Sequence, residues 1–238
     1  MEHRVRLGRS ELKVSPICYG SWQLSPRFWG DVPTDQVAAA MRHAFEVGVN
    51  FYDTADAYGD GLSERVMGEA LADLPRDEIV VATKVYNRFY DDGRRHPDLS
   101  GQYVLDECDA SLKRLKMDYL DLYQLHSFDP LTHLAETTAA LEKLLKAGKI
   151  RRYGLSNYTV EQIRWARTFG DYATLQPRYS LLQTGIEDDL LPYCEAEDIG
   201  VLVYSPLERG LLTGKYDGTE TFDDHRAGLG VFQGERFK

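Results

Sequence analysis

The strongest constraint on the fold of this 238-residue sequence is a regular alternation of short apolar segments with amphipathic ones. A polar turn at residues 8–10 predicts a small hairpin over residues 4–14, and seven short apolar runs follow it, separated by segments with the helical apolar period. Runs that are apolar throughout are typical of strands buried on both faces, which predicts a parallel sheet covered by helices. The predicted strands are residues 17–22, a run beginning at 51, and residues 79–82, 119–125, 152–155, 173–175 and 201–204.

Capping residues set the predicted starts of several helices between these strands. Ser100 is expected to cap one helix with its side chain. Asp129 and Pro130 have the order of an N-cap and a first helical residue, which predicts that the next helix begins there. Thr159 and Gln162 have the spacing of a capping box for the helix after that.

Two architectures fit such an alternation, an open doubly wound sheet and a closed barrel. The open dinucleotide-binding sheet needs Gly-x-Gly-x-x-Gly after its first strand, and the nearest approach is Gly59-Asp60-Gly61, where Glu64 occupies the third glycine position. Polar residues recur at nearly all the predicted strand ends rather than at one switch point, which favours the barrel. We therefore expect one α/β domain over residues 1–238, a (β/α)8 TIM barrel with seven identifiable strands.

The overall charge argues against two classes of partner. With a net charge of −10 and a pI near 5.1, the protein would repel nucleic acids and anionic membrane surfaces.

No apolar run is long enough to span a bilayer and the N-terminus is charged throughout, which indicates a cytoplasmic protein. The six histidines have no paired ligand spacing, so a metalloenzyme is the weaker interpretation. Three scattered cysteines, without Cys-x-x-Cys spacing, are expected to be reduced and mostly buried: Cys18, Cys108 and Cys194.

Polar side chains at three strand ends suggest a proton-transfer site. Asp53 and Tyr58 follow the strand from residue 51, while Lys84 and His126 end two later strands. Chemistry in parallel α/β proteins collects beyond the carboxyl ends of strands, so these groups are expected to meet. A lysine ammonium beside Tyr58 would lower the pKa of the phenol, which could then protonate a carbonyl oxygen. Asp53 would keep the ammonium charged, and His126 would hydrogen-bond the substrate oxygen.

Each of these residues also has an ordinary structural explanation. The chain has fifteen tyrosines, so one in a loop is most often a surface residue. A histidine at a strand end is often only hydrogen-bonded structure, and a lysine near an aspartate is often a weak ion pair. The functional interpretation therefore depends on the joint placement of the four groups.

Several segments together resemble the aldo-keto reductases, in that family's order and at its approximate spacing. They are residues 51–59 (FYDTADAYG), 82–84 (ATK), 111–115 and 118–126 (SLKRL and DYLDLYQLH), 154–157 (GLSN) and 204–207 (YSPL). The resemblance implies an NADPH-dependent oxidoreductase that reduces small aldehydes or ketones on a (β/α)8 barrel. It also implies that Tyr58 is the general acid, that Lys84 and Asp53 tune it, and that His126 orients the substrate.

The same resemblance implies a set of residues that bind NADPH or NADP+. Polar side chains would hold the nicotinamide carboxamide, and these are Ser156, Asn157 and Gln176. Tyr204 would stack on the nicotinamide ring, because a flat ring needs a face to lie on. A loop that resembles the one over the pyrophosphate contains Ser205, Leu207, Gly210 and Lys215. Taken alone, Ser156-Asn157 would be a turn and helix start, and an NADPH-binding sensor or regulatory subunit with little turnover stays open as the alternative function.

Aromatic and basic residues suggest features of the substrate. Trp22 and Trp29 after the first strand and Phe128 after His126 would line an aromatic pocket, or they anchor loop packing. A predicted loop over residues 86–99 carries three arginines that would favour anionic substrates or form solvated surface charge: Arg88, Arg94 and Arg95.

The sequence departs from the family pattern toward its C-terminal end. Seven barrel strands can be counted and no eighth, and the family's residues for the adenosine 2′-phosphate have no counterpart. An unclosed barrel leaves strand edges and apolar faces uncovered. We therefore expect a C-terminally truncated fragment, or a sequence restricted to its ordered part, in preference to a shortened protein that a partner chain completes.

Overall fold

The computed structural model of this protein describes residues 3–90 and 93–233. The strands among them are β1 Val5–Arg6, β2 Lys13–Val14, β3 Cys18–Gly20, β4 Phe51–Asp53, β5 Val80–Val85, β6 Asn87–Phe89, β7 Arg95–Pro97, β8 Leu120–Leu125, β9 Ile150–Ser156, β10 Thr174–Gln176 and β11 Gly200–Val201. The α-helices are α1 Pro26–Trp29, α2 Thr34–Glu46, α3 Leu62–Leu71, α4 Gly101–Leu115, α5 Leu134–Lys146, α6 Val160–Arg167 and α7 Leu190–Ala196.

One parallel sheet organises these elements. Its seven strands lie in the order β11-β10-β9-β8-β5-β4-β3, and every neighbouring pair is parallel. The sheet curls into a half-barrel, and the predicted α/β class with a buried parallel sheet is confirmed. Within the described residues, β3 and β11 are the edge strands, and all seven strands overlap the segments predicted for them.

The larger hydrophobic core lies between the sheet and the helices. In α4, Val104, Cys108 and Leu115 are fully buried, at the spacing of one helix face, and they pack with the strand residues that face the helices. Helices α2 to α5 each contact the next helix along the chain. Helices α3 and α4 approach closely at Gly68 of α3, where an added Cβ would lie 2.4 Å from the carbonyl oxygen of Leu115. A side chain at residue 68 would therefore force these two helices apart.

A second apolar cluster fills the inside of the half-barrel at the amino ends of its strands. Leu7 and Leu12 from the β1–β2 hairpin pack there with Phe51, Val80 and Leu122. The hairpin also bonds to the far side of the sheet, since the backbone N–H of Arg9 donates to the carbonyl of Asp198 at 2.8 Å. The amino ends of the strands are thus covered by apolar residues, and polar side chains are left for the carboxyl ends.

Three local predictions need correction or addition. Ser100 stands at the N-cap of α4, but its side chain makes no capping hydrogen bond to the described residues. The helix predicted to begin at Asp129 and Pro130 begins at Leu134 instead. The carboxylate of Asp129 accepts from the Leu131 N–H, the Thr132 hydroxyl and the Leu99 N–H, and these bonds hold a turn in competition with the helix.

The predicted loop over residues 86–99 contains the antiparallel hairpin β6–β7. Its polar, aromatic and basic sequence alternates too weakly between apolar and polar residues to distinguish a strand from a loop.

The capping box of Thr159 and Gln162 at the start of α6 is confirmed, with both reciprocal bonds present. In the described part of the chain the three cysteines form no disulfide, and none of its helices is long and apolar enough to cross a membrane.

Candidate active site

A buried ion pair joins the ends of two neighbouring strands. β4 ends at Asp53 and lies beside β5, in which Lys84 points inward with no exposed side-chain surface. The Nζ of Lys84 donates to Oδ2 of Asp53 at 2.6 Å and to the carbonyl oxygen of Thr54 at 2.8 Å. A buried ammonium persists only where oxygen atoms replace its hydration shell, and this one has two such partners.

The electrostatics of the pair keep Lys84 charged. Burial by itself lowers the pKa of Lys84, but Asp53 and Tyr58 more than offset it, so the pKa is raised above its usual 10.5. Lys84 is therefore a charged ammonium at the bottom of the site at neutral pH. This part of the sequence interpretation, a charged lysine held by an aspartate, agrees with the geometry.

Tyr58 and His126 complete the group of four side chains. Nζ of Lys84 lies 5.1 Å from the centroid of the Tyr58 ring. The rings of Tyr58 and His126 meet edge to face, with centroids 5.8 Å apart. Both residues are only partly buried, unlike Lys84, so the phenol and the imidazole face the solvent-accessible end of the half-barrel. A small molecule entering from that end would meet these two groups.

The pKa of Tyr58 departs from the sequence expectation. Burial raises the pKa of the phenol; Lys84 lowers it, while Asp53 and Asp56 add to the rise, and the net shift is upward from 10. The expected lowering of the Tyr58 pKa by Lys84 is thus present, but the effect of burial outweighs it. Tyr58 therefore stays protonated at neutral pH and has a proton to donate.

His126 is neutral over the same pH range. Burial first, and then the Lys84 ammonium, lower its pKa from 6.5 to about 3. A neutral imidazole has one N–H donor and one acceptor nitrogen. It can therefore donate a hydrogen bond to an uncharged oxygen without competing with Tyr58 as the acid.

Two glutamines contact the other oxygen of the Asp53 carboxylate. Nε2 of Gln176 donates to Oδ1 of Asp53 at 2.9 Å, and Nε2 of Gln124 lies 3.4 Å from the same atom. Gln176 was expected to face a nicotinamide, whereas here one end of its amide bonds to Asp53. Gln124 was not predicted, although its position one residue before Leu125-His126 and its pairing with Lys84 across β5 and β8 could have indicated it.

Hydrogen bonds link the remaining residues implied for the nicotinamide. The Ser156 hydroxyl donates to the Gln176 carbonyl at 2.9 Å. Nδ2 of Asn157 donates to the His126 carbonyl at 3.0 Å, and its Oδ1 accepts from the Tyr204 hydroxyl at 2.9 Å. Asn157 has φ 60°, a conformation that asparagine tolerates better than most residues. The network places these side chains and His126 together at the carboxyl ends of β8, β9 and β10.

The implied pyrophosphate loop is a tight, irregular turn after β11. Ser205 and Gly210 have positive φ angles of 54° and 96°. An added Cβ at Gly210 would come within 3.0 Å of Cε of Lys215, so the absence of a side chain lets the lysine fold back over the turn. Leu207 is 54% exposed at the same turn. The turn thus brings the Lys215 side chain beside irregular backbone, an arrangement that can bind a phosphate-bearing cofactor.

The aromatic residues suggested for the substrate pocket lie in two separate clusters. The rings of Trp22 and Trp29 meet at 5.4 Å, and His225 packs against both, at 5.3 Å and 4.4 Å. Phe128 instead packs on Tyr158 at 5.6 Å and on Trp165. The structure therefore brings together two of the three residues suggested for an aromatic pocket.

The arginines of the β6–β7 hairpin have partners nearby. Arg88 pairs with Asp98 at 3.0 Å, Arg95 pairs with Asp60, and Arg94 lies over the ring of Tyr90. These contacts support the surface-charge interpretation of the three arginines. Among the described residues, no group of three histidine, cysteine or carboxylate side chains could hold a metal ion.

Comparison with known proteins gives consistent matches. The family model described as "Aldo/keto reductase family" matches residues 16–230. The NADH-specific methylglyoxal reductase of Escherichia coli (strain K12) is 37% identical over 226 residues, which are 89% of this chain and 69% of that protein.

Solved structures match as well. The glycerol dehydrogenase AKR11B4 from Gluconobacter oxydans superposes with a TM-score of 0.89 at 34% identity, covering 98% of this chain and 73% of that one. An aldo-keto reductase from Klebsiella pneumoniae in complex with NADPH gives a TM-score of 0.76 at 35% identity, covering 90% and 72%.

Proposed function

This chain belongs to the aldo/keto reductase family, and from that premise we propose that it reduces aldehyde or ketone carbonyls to alcohols with NADPH, with Tyr58 as the general acid. The observation that carries the proposal is the group formed by Asp53, Lys84, Tyr58 and His126 at the open end of the half-barrel. It combines a protonated phenol, a buried ammonium beside it and a neutral imidazole. Those are the groups that protonation of a carbonyl oxygen requires.

The residues of this chain would act on the substrate oxygen. His126 donates a hydrogen bond to the carbonyl oxygen and sets its position relative to Tyr58. The phenol then gives its proton to that oxygen while the carbonyl carbon is reduced, and the resulting phenolate is stabilised by the Lys84 ammonium. Asp53 keeps the ammonium in place through its 2.6 Å bond. Solvent returns a proton to Tyr58 after the alcohol leaves.

The cofactor residues follow from the same proposal. When bound, the reduced nicotinamide supplies the hydride that reduces the carbonyl carbon. Ser156, Asn157 and Gln176 would hold its carboxamide, and Tyr204 would lie against its ring. Their joint position beside His126 supports these roles, because the amide and hydroxyl groups there can exchange their internal bonds for bonds to a ligand. Ser205, Leu207, Gly210 and Lys215 would bind the pyrophosphate.

The choice of NADPH over NADH is a separate part of the proposal. A solved relative binds NADPH, whereas another relative is described as NADH-specific. The ratio of kcat/KM for the two cofactors, measured with one aldehyde, decides between them. A ratio in favour of NADH would contradict NADPH as the cofactor and leave the carbonyl chemistry intact.

The test of the reaction is optical measurement of NADPH oxidation with a panel of small aldehydes and ketones. Tyr58→Phe removes only the phenolic hydroxyl, and we expect kcat to fall by about 10²- to 10⁴-fold. Tyr90→Phe, in the exposed hairpin, is the matched control and should keep wild-type activity. Equal turnover by wild type and Tyr58→Phe would refute Tyr58 as the acid. NADPH binding without turnover by either would point to the sensor or regulatory alternative.

A further inference from the structure

Two arginines share one buried carboxylate beside the proposed cofactor site. Glu208 is 3% exposed, and its carboxylate accepts from the Arg178 guanidinium and from the Ser180 hydroxyl at 2.6 Å. Nη1 of Arg209 lies 4.0 Å from the same carboxylate, beyond hydrogen-bond distance. One anion therefore serves two cations, and a positive charge is left over in a protein whose net charge is −10.

Both guanidinium groups also have unused buried donors. Within residues 3–90 and 93–233, Nε of Arg178 and Nε of Arg209 are buried and have no hydrogen-bond partner. Burial lowers the pKa of Arg209 and the neighbouring Arg178 lowers it further, but an arginine stays protonated in proteins. Charged donors removed from water need an acceptor, and an oxyanion supplies several at once.

The backbone at this place is strained. Glu208 and Arg209 have φ 46° and φ 56°, in the left-handed region that residues with a Cβ adopt at a cost. Strain of this kind is concentrated at ligand-binding sites, where the rest of the structure enforces it. At this turn two consecutive charged residues, Glu208 and Arg209, adopt the strained conformation. Glycine at either position would relieve the strain.

The position of Arg209 indicates which ligand would supply the oxyanion. Its guanidinium carbon lies 5.5 Å from the centroid of the Trp22 ring, which belongs to the Trp22–Trp29 cluster. It also acts on Tyr204: burial raises the pKa of that phenol, and Arg178 and Arg209 oppose the rise. Arg209 thus lies between the aromatic cluster and the residue proposed to stack on the nicotinamide.

We propose that Arg209, supported by Arg178, binds an oxyanion carried by the carbonyl substrate, so that the enzyme selects aldehydes or ketones with a carboxylate. The inference rests on the proposed function and names its substrate class. A phosphate of the cofactor has the same oxyanion chemistry and is the rival source. Arg209 itself lies between Leu207 and Gly210 of the implied pyrophosphate loop, so the backbone position of Arg209 does not separate the two sources. The contact of its guanidinium with Trp22 favours the substrate, because that ring belongs to the aromatic cluster.

The test compares two substrates of the same shape, 4-formylbenzoate and its neutral carboxamide, 4-formylbenzamide. We expect wild type to prefer the carboxylate in kcat/KM, and Arg209→Gln to raise KM for 4-formylbenzoate by about 10- to 100-fold. The KM for the amide and the affinity for NADPH should not change. Arg209→Lys, which keeps the charge, should give an intermediate KM for the carboxylate. Arg42→Gln, on the exposed face of α2, makes the same change in net charge and should behave as wild type.

Three results would overturn the proposal. They are wild-type indifference between the two substrates, an equal loss with both in Arg209→Gln, and a weakened NADPH affinity, which would assign the oxyanion to the cofactor. Benzoate, an unreactive carboxylate, distinguishes failure of the oxyanion site from failure of the carbonyl chemistry. Its binding is followed by tryptophan fluorescence. Benzoate binding that Arg209→Gln abolishes, without turnover of any carbonyl, would support the oxyanion site and refute the reductase function.

Discussion

Removal of the Lys84 ammonium tests the electrostatic centre of the site. Lys84→Met keeps a long apolar side chain in the fully buried position but deprives Asp53 of its 2.6 Å partner. Loss of one partner from a buried ion pair costs about 3–5 kcal/mol of unfolding free energy, because the other charge is left uncompensated. Asp53 is 13% exposed at its side chain and keeps the Gln176 bond at 2.9 Å. We therefore expect a loss near the lower limit, about 3 kcal/mol.

A double-mutant cycle isolates the pair from the loss of packing. Asp53→Asn alone should also destabilise the protein, since the buried ammonium then lacks a counter-charge. With both substitutions the total loss should be smaller than the sum of the single losses by about 1–3 kcal/mol. Urea unfolding followed by circular dichroism measures all four proteins, and kcat is expected to fall with each variant. Additivity within about 0.5 kcal/mol would refute the argument that the two charges stabilise each other.

Two further predictions follow from single residues. His126 has a folded pKa of about 3, below its unfolded value near 6.5, so it favours the folded state above pH 6.5 and this stabilisation is lost as the pH falls toward 3. Urea titrations at several pH values should therefore find a shallower loss in His126→Asn, by up to about 1.4 kcal/mol per pH unit within that window. Gly68→Ala should cost about 1–3 kcal/mol, because its Cβ would meet the Leu115 backbone, while Gly101→Ala, with 3.4 Å of room, should cost little by the same urea assay.

The strands were the most predictable part of the fold. Four of the seven, β4, β5, β8 and β10, are short runs buried along their whole length, so composition distinguishes them from the amphipathic helices. The edge strands β3 and β11 are only partly buried. Helix starts were predictable only where the capping residue had no better partner. Thr159 met that condition, whereas Asp129 bonded to three groups around its turn, one of them the distant Leu99.

Which residues lie together in the candidate site was predictable from the sequence, whereas the pKa of Tyr58 was not. Asp53 and Lys84 lie at the carboxyl ends of β4 and β5, Tyr58 and His126 lie just beyond β4 and β8, and a parallel sheet brings such ends to one side. The upward pKa shift of Tyr58 depends on how much water reaches the phenol, a quantity that no local sequence pattern contains. Gln124 and Glu208 escaped prediction for a related reason, since their roles come from contacts with residues far along the chain.

The sequence by itself determined the parallel α/β architecture and the set of polar groups at the open end, because apolar periodicity and strand-end position are local properties of the chain. Tertiary structure decided which of those groups touch and what charge each one carries. Gln176 bonds to Asp53 from 123 residues away, and Arg209 reaches Trp22 across nearly the whole sequence. Hydrogen-bond partners and burial depend on three-dimensional distance, and only the packed chain defines that distance.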